Sequence, residues 1–147
     1  MTGKPRAQAL SREAIRERVR RAKLRATPGR LATYGALHEA ECPLTHGEVV
    51  ARLGSQGFDR ATVYRNLMDL TDAGLVVRSD LGDHAWRFEL ADEGGPAGHV
   101  HFVCVDCGDV QCLPGVQVTV EAAPGAPRAV AAEQVEVQLR GRCDRCS

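Results

Sequence analysis

The chain has 147 residues, 44% hydrophobic and 4% aromatic, and its 19 Lys and Arg are balanced by 19 Asp and Glu. That length suits one ordinary domain or two small ones, and no stretch approaches the ~20 consecutive apolar residues of a membrane-spanning helix, so a soluble protein is expected. The neutral total hides a division: residues 1–30 carry ten Lys and Arg against Glu13 and Glu17 alone, which leaves the rest of the chain acidic.

Arg12, Arg16, Arg18, Arg20, Arg21, Lys23 and Arg25 lie on a segment of helical composition that ends at Pro28. Such a run suits neutralisation of phosphates and contact with a narrow, electronegative minor groove. A solvated charged helix is the plainer alternative. Thr27 and Pro28 read as N-cap and first helical residue, and Leu31, Tyr34 and Leu37 then share one face of a helix to about Ala40. Thr45-His46-Gly47-Glu48 is a capping box opening a second helix, with Val49, Val50 and Leu53 as its buried stripe and Gly54 as its stop. Asp59 caps a third helix, in which Val63, Leu67 and Leu70 fall at i, i+4 and i+7 and which Gly74 terminates.

Helix, short glycine-containing turn and helix make a helix-turn-helix. With Val63, Leu67 and Leu70 inward, Arg60, Ala61, Tyr64 and Arg65 face outward, where a recognition helix presents side chains to base edges. Tyr64 suits thymine methyl groups, and Arg65 suits phosphate or guanine. The candidate DNA contacts are Arg20, Arg21, Lys23, Arg60, Thr62, Tyr64 and Arg65. Two extended segments follow, Leu75 to Arg78 and Ala85 to Leu90, around the turn Ser79 to Asp83, and form a hairpin or wing. A winged module used for protein contacts is the alternative to DNA binding. Residues 91–98 form a glycine-rich hinge.

Cys104/Cys107 and Cys143/Cys146 are two C-x-x-C pairs separated by 35 residues. Two residues between thiols let a turn aim both sulfurs at one ion, and two such pairs complete a closed tetrahedral shell, so a structural zinc is expected. Disulfides or a redox pair are the alternative; no secretory pattern near residue 1 and no thioredoxin-like βαβ unit supports them. His99 and His101 alternate on a strand leading into the first pair, so both imidazoles face one side and can chelate a divalent ion.

From Leu24 to Cys146 the sequence resembles the ferric uptake regulator family of dimeric, metal-responsive bacterial repressors. The residues that carry the resemblance are Thr27-Pro28 with Arg30, the run Ala61-Thr62-Val63-Tyr64-Arg65-Asn66-Leu67, Asp72-Ala73-Gly74-Leu75-Val76, Arg87-Phe88-Glu89-Leu90, and His99-x-His101-x-x-Cys104-x-x-Cys107-Gly108. The resemblance implies an α+β protein: an N-terminal winged helix-turn-helix DNA-binding domain over 1–90, the hinge at 91–98, and a small α/β dimerisation domain over 99–147 with the four-cysteine zinc site. It also implies a second, regulatory metal site with Glu89, His99 and His101. The family's acidic ligand five places after the second cysteine is replaced by Cys112. A thiolate is softer than a carboxylate and shifts preference towards zinc, away from manganese or iron(II). A small buried hydrophobe or a redox-sensing thiol are the other readings of Cys112. The family's histidine before the second helix is replaced by Pro43, with Cys42 and His46 nearby; His38 and His84 are weaker candidates. The stretch 113–141 departs most from the family, and Val116-Gln117-Val118-Thr119-Val120 and Val135 to Leu139 read as strands.

The implied protein is a cytoplasmic, homodimeric, metal-dependent repressor that binds a palindromic AT-rich operator and controls metal homeostasis. Zinc is the leading co-repressor. An iron(II)-, manganese- or peroxide-sensing member and a zinc-ribbon protein-interaction module are the alternatives. No acid/base pair, activated nucleophile or phosphate loop points to an enzyme, and a zinc closed by four thiolates offers no catalytic water.

Overall fold

A computed structural model describes residues 9–40, 42–82, 84–91, 100–113, 116–132, 135 and 137–147. It divides into two compact units, one within Arg6–Ala91 and one within Asp92–Ser147. Beyond Ala91, the expected hinge lies outside the described residues, as does His99. No helix is long and apolar enough to cross a membrane among the described residues.

In the first unit, α1 spans Arg12–Arg21, capped by the Ser11 hydroxyl, which accepts from the Ala14 amide at 3.1 Å. Its Ile15 and Val19 are buried one turn apart. The helix stops well short of Pro28, because Lys23 adopts a left-handed φ of 63°. The Lys23 and Leu24 amides donate to the carbonyls of Arg20 and Val19, the bond pair of a Schellman stop at a position where glycine is usual. The basic segment is therefore a ten-residue helix followed by a linker.

Helix α2, Pro28–Glu39, begins as expected with Thr27 as N-cap and proline in its first turn, and buries Leu31, Tyr34 and Leu37. Gly29 permits its close approach to Asn66 and Phe58: a Cβ there would lie 3.0 Å from Asn66 Nδ2 and 3.4 Å from the Phe58 ring. A two-residue strand that the pattern does not reveal, β1 at Leu44–Thr45, precedes α3, His46–Arg52. The capping box forms, with the Thr45 hydroxyl accepting from the Glu48 amide and the Glu48 carboxylate from the Thr45 amide. Gly54 is not the turning point; it opens a 3₁₀ turn, Gly54–Gln56, and Gly57, at φ 77°, redirects the chain.

Helix α4, Arg60–Asp72, carries Val63, Leu67 and Leu70 with no exposed surface. It ends at Gly74, where the Leu75 amide reaches the Leu70 carbonyl. Strand β2, Val76–Asp80, runs two residues past its expected end, and pairs antiparallel with β3, Trp86–Leu90, from Val76↔Leu90 to Asp80↔Trp86. β1 adds to the other edge of β3. Phe88 from β3 joins the helical cluster of Val19, Leu31, Val49, Val63, Leu67 and Leu70 as one continuous apolar core.

The second unit holds a sheet of β4 (Val100–Cys104), β5 (Val110–Leu113) and β6 (Gln138–Gly141) in the order β5-β4-β6. β4 pairs antiparallel with β5 and parallel with β6. The strand expected at Val116–Val120 does not form; those residues are irregular, and Val116, Val118 and Val120 are 41–47% exposed. Alternation makes a strand only where a sheet edge and a buried face receive it, and this stretch has neither among the described residues. The strand expected over Val135–Leu139 is seen at Gln138–Gly141, and the one helix among the described residues here, α5, is the single turn Arg128–Ala131.

Candidate nucleic-acid interface and candidate metal centre

Helix α4 presents Arg60, Ala61, Tyr64 and Arg65 to solvent while Val63, Asn66 and Leu67 are buried. Arg60 with Tyr64, and Ala61 with Arg65, are i, i+4 neighbours, so the four form a stripe over the first two turns. Thr62 is half-buried, and its amide donates to the Asp59 carboxylate at 2.6 Å. Bonds from the Thr62 side chain and then its amide hold the Asp59 carboxyl below its ordinary range, with the Arg65 charge adding to the effect. A carboxylate at the positive end of a helix dipole fixes where α4 begins. Thr62 thus serves the cap.

His46 joins α3 to this stripe. Its Nε2 lies 2.8 Å from the Arg60 carbonyl, and its ring meets Tyr64 edge-on at 5.4 Å between centroids and 65° between planes. At the far end, Arg30 of α2 pairs with Asp69 of α4 and donates to the Arg25 carbonyl at 2.6 Å, which ties the basic linker to the same helix. Arg20, Arg21 and Lys23 are exposed, and Arg21 pairs with Glu17 at 3.2 Å. In the hairpin, Arg78 stacks on the half-exposed Trp86, 4.1 Å from its ring centroid.

The four cysteines of the two pairs are free thiols, which removes the disulfide reading for them. Their sulfurs all lie within 4.8 Å of one another, and they are the one group of three or more ligand-type side chains so clustered among the described residues. Cys104 ends β4 and Cys143 follows β6, and the parallel pairing of these strands brings the two C-x-x-C turns together. The Gly108 amide bonds the Cys104 carbonyl, and the Cys146 amide the Cys143 carbonyl, closing each turn. Tetrahedral zinc with ~2.3 Å bonds to sulfur needs sulfur–sulfur edges of about 3.8 Å; Cys107 and Cys143 are 3.8 Å apart. Neighbouring amides, from Cys107 first and then Cys143, bring the Cys104 thiol down to about 6, whereas thiol contacts from Cys143 and then Cys107 push Cys146 up to about 12. Four thiolates this close are compatible only around a cation. The site fits zinc by count, spacing and donor chemistry. Two ion pairs cross between the turns, Arg142 to Asp106 at 3.0 Å and Arg145 to Asp109 at 2.9 Å. Acidic residues in the first turn and arginines around the second are their only trace in the sequence.

Of the second expected site, His101 is buried on β4 directly opposite Cys112 on β5. Facing residues of an antiparallel pair point to the same side, with Cβ atoms about 5 Å apart. Glu89 is half-buried on β3, opposite Val77. Neither His38 nor His84 enters a ligand cluster among the described residues. The His46 contacts could not be read from local sequence, since they join residues 14 and 18 apart.

Comparison with known proteins agrees with this architecture. The family model described as "Ferric uptake regulator family" matches residues 21–136. The ferric uptake regulation protein of Bacillus subtilis is 35% identical over 101 residues, which cover 67% of this chain and 68% of that protein. The crystal structure of the Vibrio cholerae ferric uptake regulator superposes with a TM-score of 0.62 at 27% identity, over 87% of this chain and 98% of that one. The Pseudomonas aeruginosa regulator, solved with manganese, gives 0.60 at 29% identity over 87% and 96%. With the model spanning both the α4 stripe and the first cysteine pair, the chain belongs to the ferric uptake regulator family.

Proposed function

We propose that the chain is a homodimeric, metal-dependent repressor of transcription that binds a palindromic, AT-rich operator and controls metal homeostasis, with zinc as co-repressor. The carrying observation is the exposed stripe Arg60-Ala61-Tyr64-Arg65 on a helix whose opposite face buries Val63, Leu67 and Leu70 in the core. Helices α2 to α4 with the β2–β3 hairpin have the order of a winged helix-turn-helix, in which α4 enters the major groove. Tyr64 and Arg65 address bases, Arg60 and Thr62 flank them, and Arg20, Arg21 and Lys23 neutralise phosphates. Family membership supports the same reading, and a cytoplasmic location follows from it.

The second unit is the dimerisation and metal-binding half. Cys104, Cys107, Cys143 and Cys146 hold a structural zinc, and exposed Val105, Val116, Val118 and Val120 supply apolar surface for a second copy. A regulatory ion uses His101 and Cys112, supported by their facing register; Glu89 and His99 are the sequence-based candidates to complete it. Cys112 is disulfide-bonded in this structure and ligates only as a thiolate, so this site requires it reduced; its softness then favours zinc over the manganese carried by the Pseudomonas relative.

The test is operator binding by protein kept under reductant, stripped with a mild chelator and titrated with zinc, manganese and iron(II). Restoration by zinc alone, with one further zinc retained per chain throughout, is the expected outcome. Restoration by manganese or iron(II) alone would overturn zinc as co-repressor, and failure to bind DNA under any metal would overturn the repressor reading.

A further inference from the structure

We infer that His46 is a positioning residue for the DNA-reading face of α4, holding Tyr64 and the first turn of that helix in the orientation from which bases are reached. The inference rests on the DNA-binding reading above. A carbonyl only accepts, so the 2.8 Å contact to Arg60 requires the proton on Nε2 of His46. The same ring presents itself edge-on to Tyr64, a favourable quadrupole arrangement. One side chain therefore makes two different contacts to successive turns of one face.

The anchor behind that ring is firm. His46 is the first residue of α3, inside the Thr45–Glu48 capping box, and Thr45 is itself paired with Arg87 in the sheet. Tyr64, by contrast, is 45% exposed. A surface tyrosine held by a fixed neighbour loses less rotamer freedom when DNA orders it, which favours the bound state. His46 touches no phosphate in this account, so its effect falls on sequence-specific affinity and spares the electrostatic component.

His46→Ala, His46→Gln and His46→Phe separate the two contacts, since Gln keeps a donor and Phe keeps a ring. Affinity for an operator and for random-sequence DNA is measured at several salt concentrations, alongside unfolding temperature and the Tyr64 ring proton shifts. His46→Ala should weaken operator binding about tenfold, with random-sequence binding and the salt slope unchanged. Gln and Phe should each recover part of the loss, and in a Tyr64→Ala background His46→Ala should have a much smaller effect. Wild-type operator affinity in His46→Ala, or equal loss on operator and random DNA, would overturn the inference. Should the Ala variant fold poorly, the Gln and Phe variants decide: wild-type operator affinity in both, or equal loss on operator and random-sequence DNA in both, is an outcome against it. Absence of DNA binding by the unmodified protein would instead sink the repressor reading, with the Tyr64 shifts still reporting whether His46 holds the ring.

Discussion

Within Arg6–Ala91, side chains from four helices and a hairpin meet in one cluster in which Val19, Val49, Val63, Leu67 and Leu70 have no exposed surface. Within Asp92–Ser147, the buried side chains among the described residues are His101, Val103, Cys104 and Cys143. The first unit has a sufficient apolar core of its own. The second is a three-stranded sheet whose buried residues include two of four clustered thiols, so its cohesion depends on what those thiols bind. On the proposed structural-zinc reading, one chain combines a part stabilised by burial with a part stabilised by coordination, and the two should fail under different treatments.

The sharpest way to break that contrast is a strong chelator at neutral pH. Structural zinc contributes ~10 kcal/mol or more of apparent folding free energy in small domains, so hydrogen-exchange protection should vanish from β4 and β6 while α2 and α4 keep theirs. Simultaneous loss from both units would show that the first depends on the metal as well. Leu67→Ala addresses the other half: a fully buried leucine replaced by alanine costs about 2–5 kcal/mol. Chemical unfolding followed by helix content should show that loss, with zinc content per chain unchanged.

A smaller effect sharpens the account of the basic segment. Lys23 holds a left-handed φ that glycine adopts freely, and Lys23→Gly should stabilise the first unit by about 0.5–1 kcal/mol while making operator binding weaker and less salt-dependent. Stabilisation without any change in salt slope would remove Lys23 from the phosphate contacts. The smallest effect concerns Asp59. Its carboxyl is held below the usual range by Thr62, so its contribution to stability is present above the ordinary carboxylate pKa of about 4 and is lost as pH falls through its lower folded value. The difference in unfolding temperature between the unmodified protein and Asp59→Ala should be largest near neutrality and shrink in acid; a constant difference would mean the cap acts without its charge.

Much of this was legible because it is local. Caps at Thr27, Thr45 and Asp59, the stripe Val63-Leu67-Leu70 and the glycine stop at Gly74 each lie within one or two helical turns, where steric and hydrogen-bonding rules act between near neighbours. The C-x-x-C spacing was equally informative, since two intervening residues set the reach of a sulfur whatever surrounds it. Illegible parts depended on distant partners. Val116 to Val120 carries a strand pattern that finds no neighbouring strand among the described residues. β1 exists because β3 offers it an edge, and Lys23 ends α1 because Leu24 and Val19 are held together over the core.

The sequence by itself determined the helices and their faces, the hairpin, the four-thiol site and the family, because periodicity, capping and ligand spacing are short-range constraints. Only the tertiary structure decided how the two C-x-x-C turns are brought together, through the parallel pairing of β4 with β6, that His101 faces Cys112, and that His46 supports Arg60 and Tyr64. Those contacts join residues that are far apart in the chain, and chain separation carries no record of which pairs folding will bring within a few ångströms.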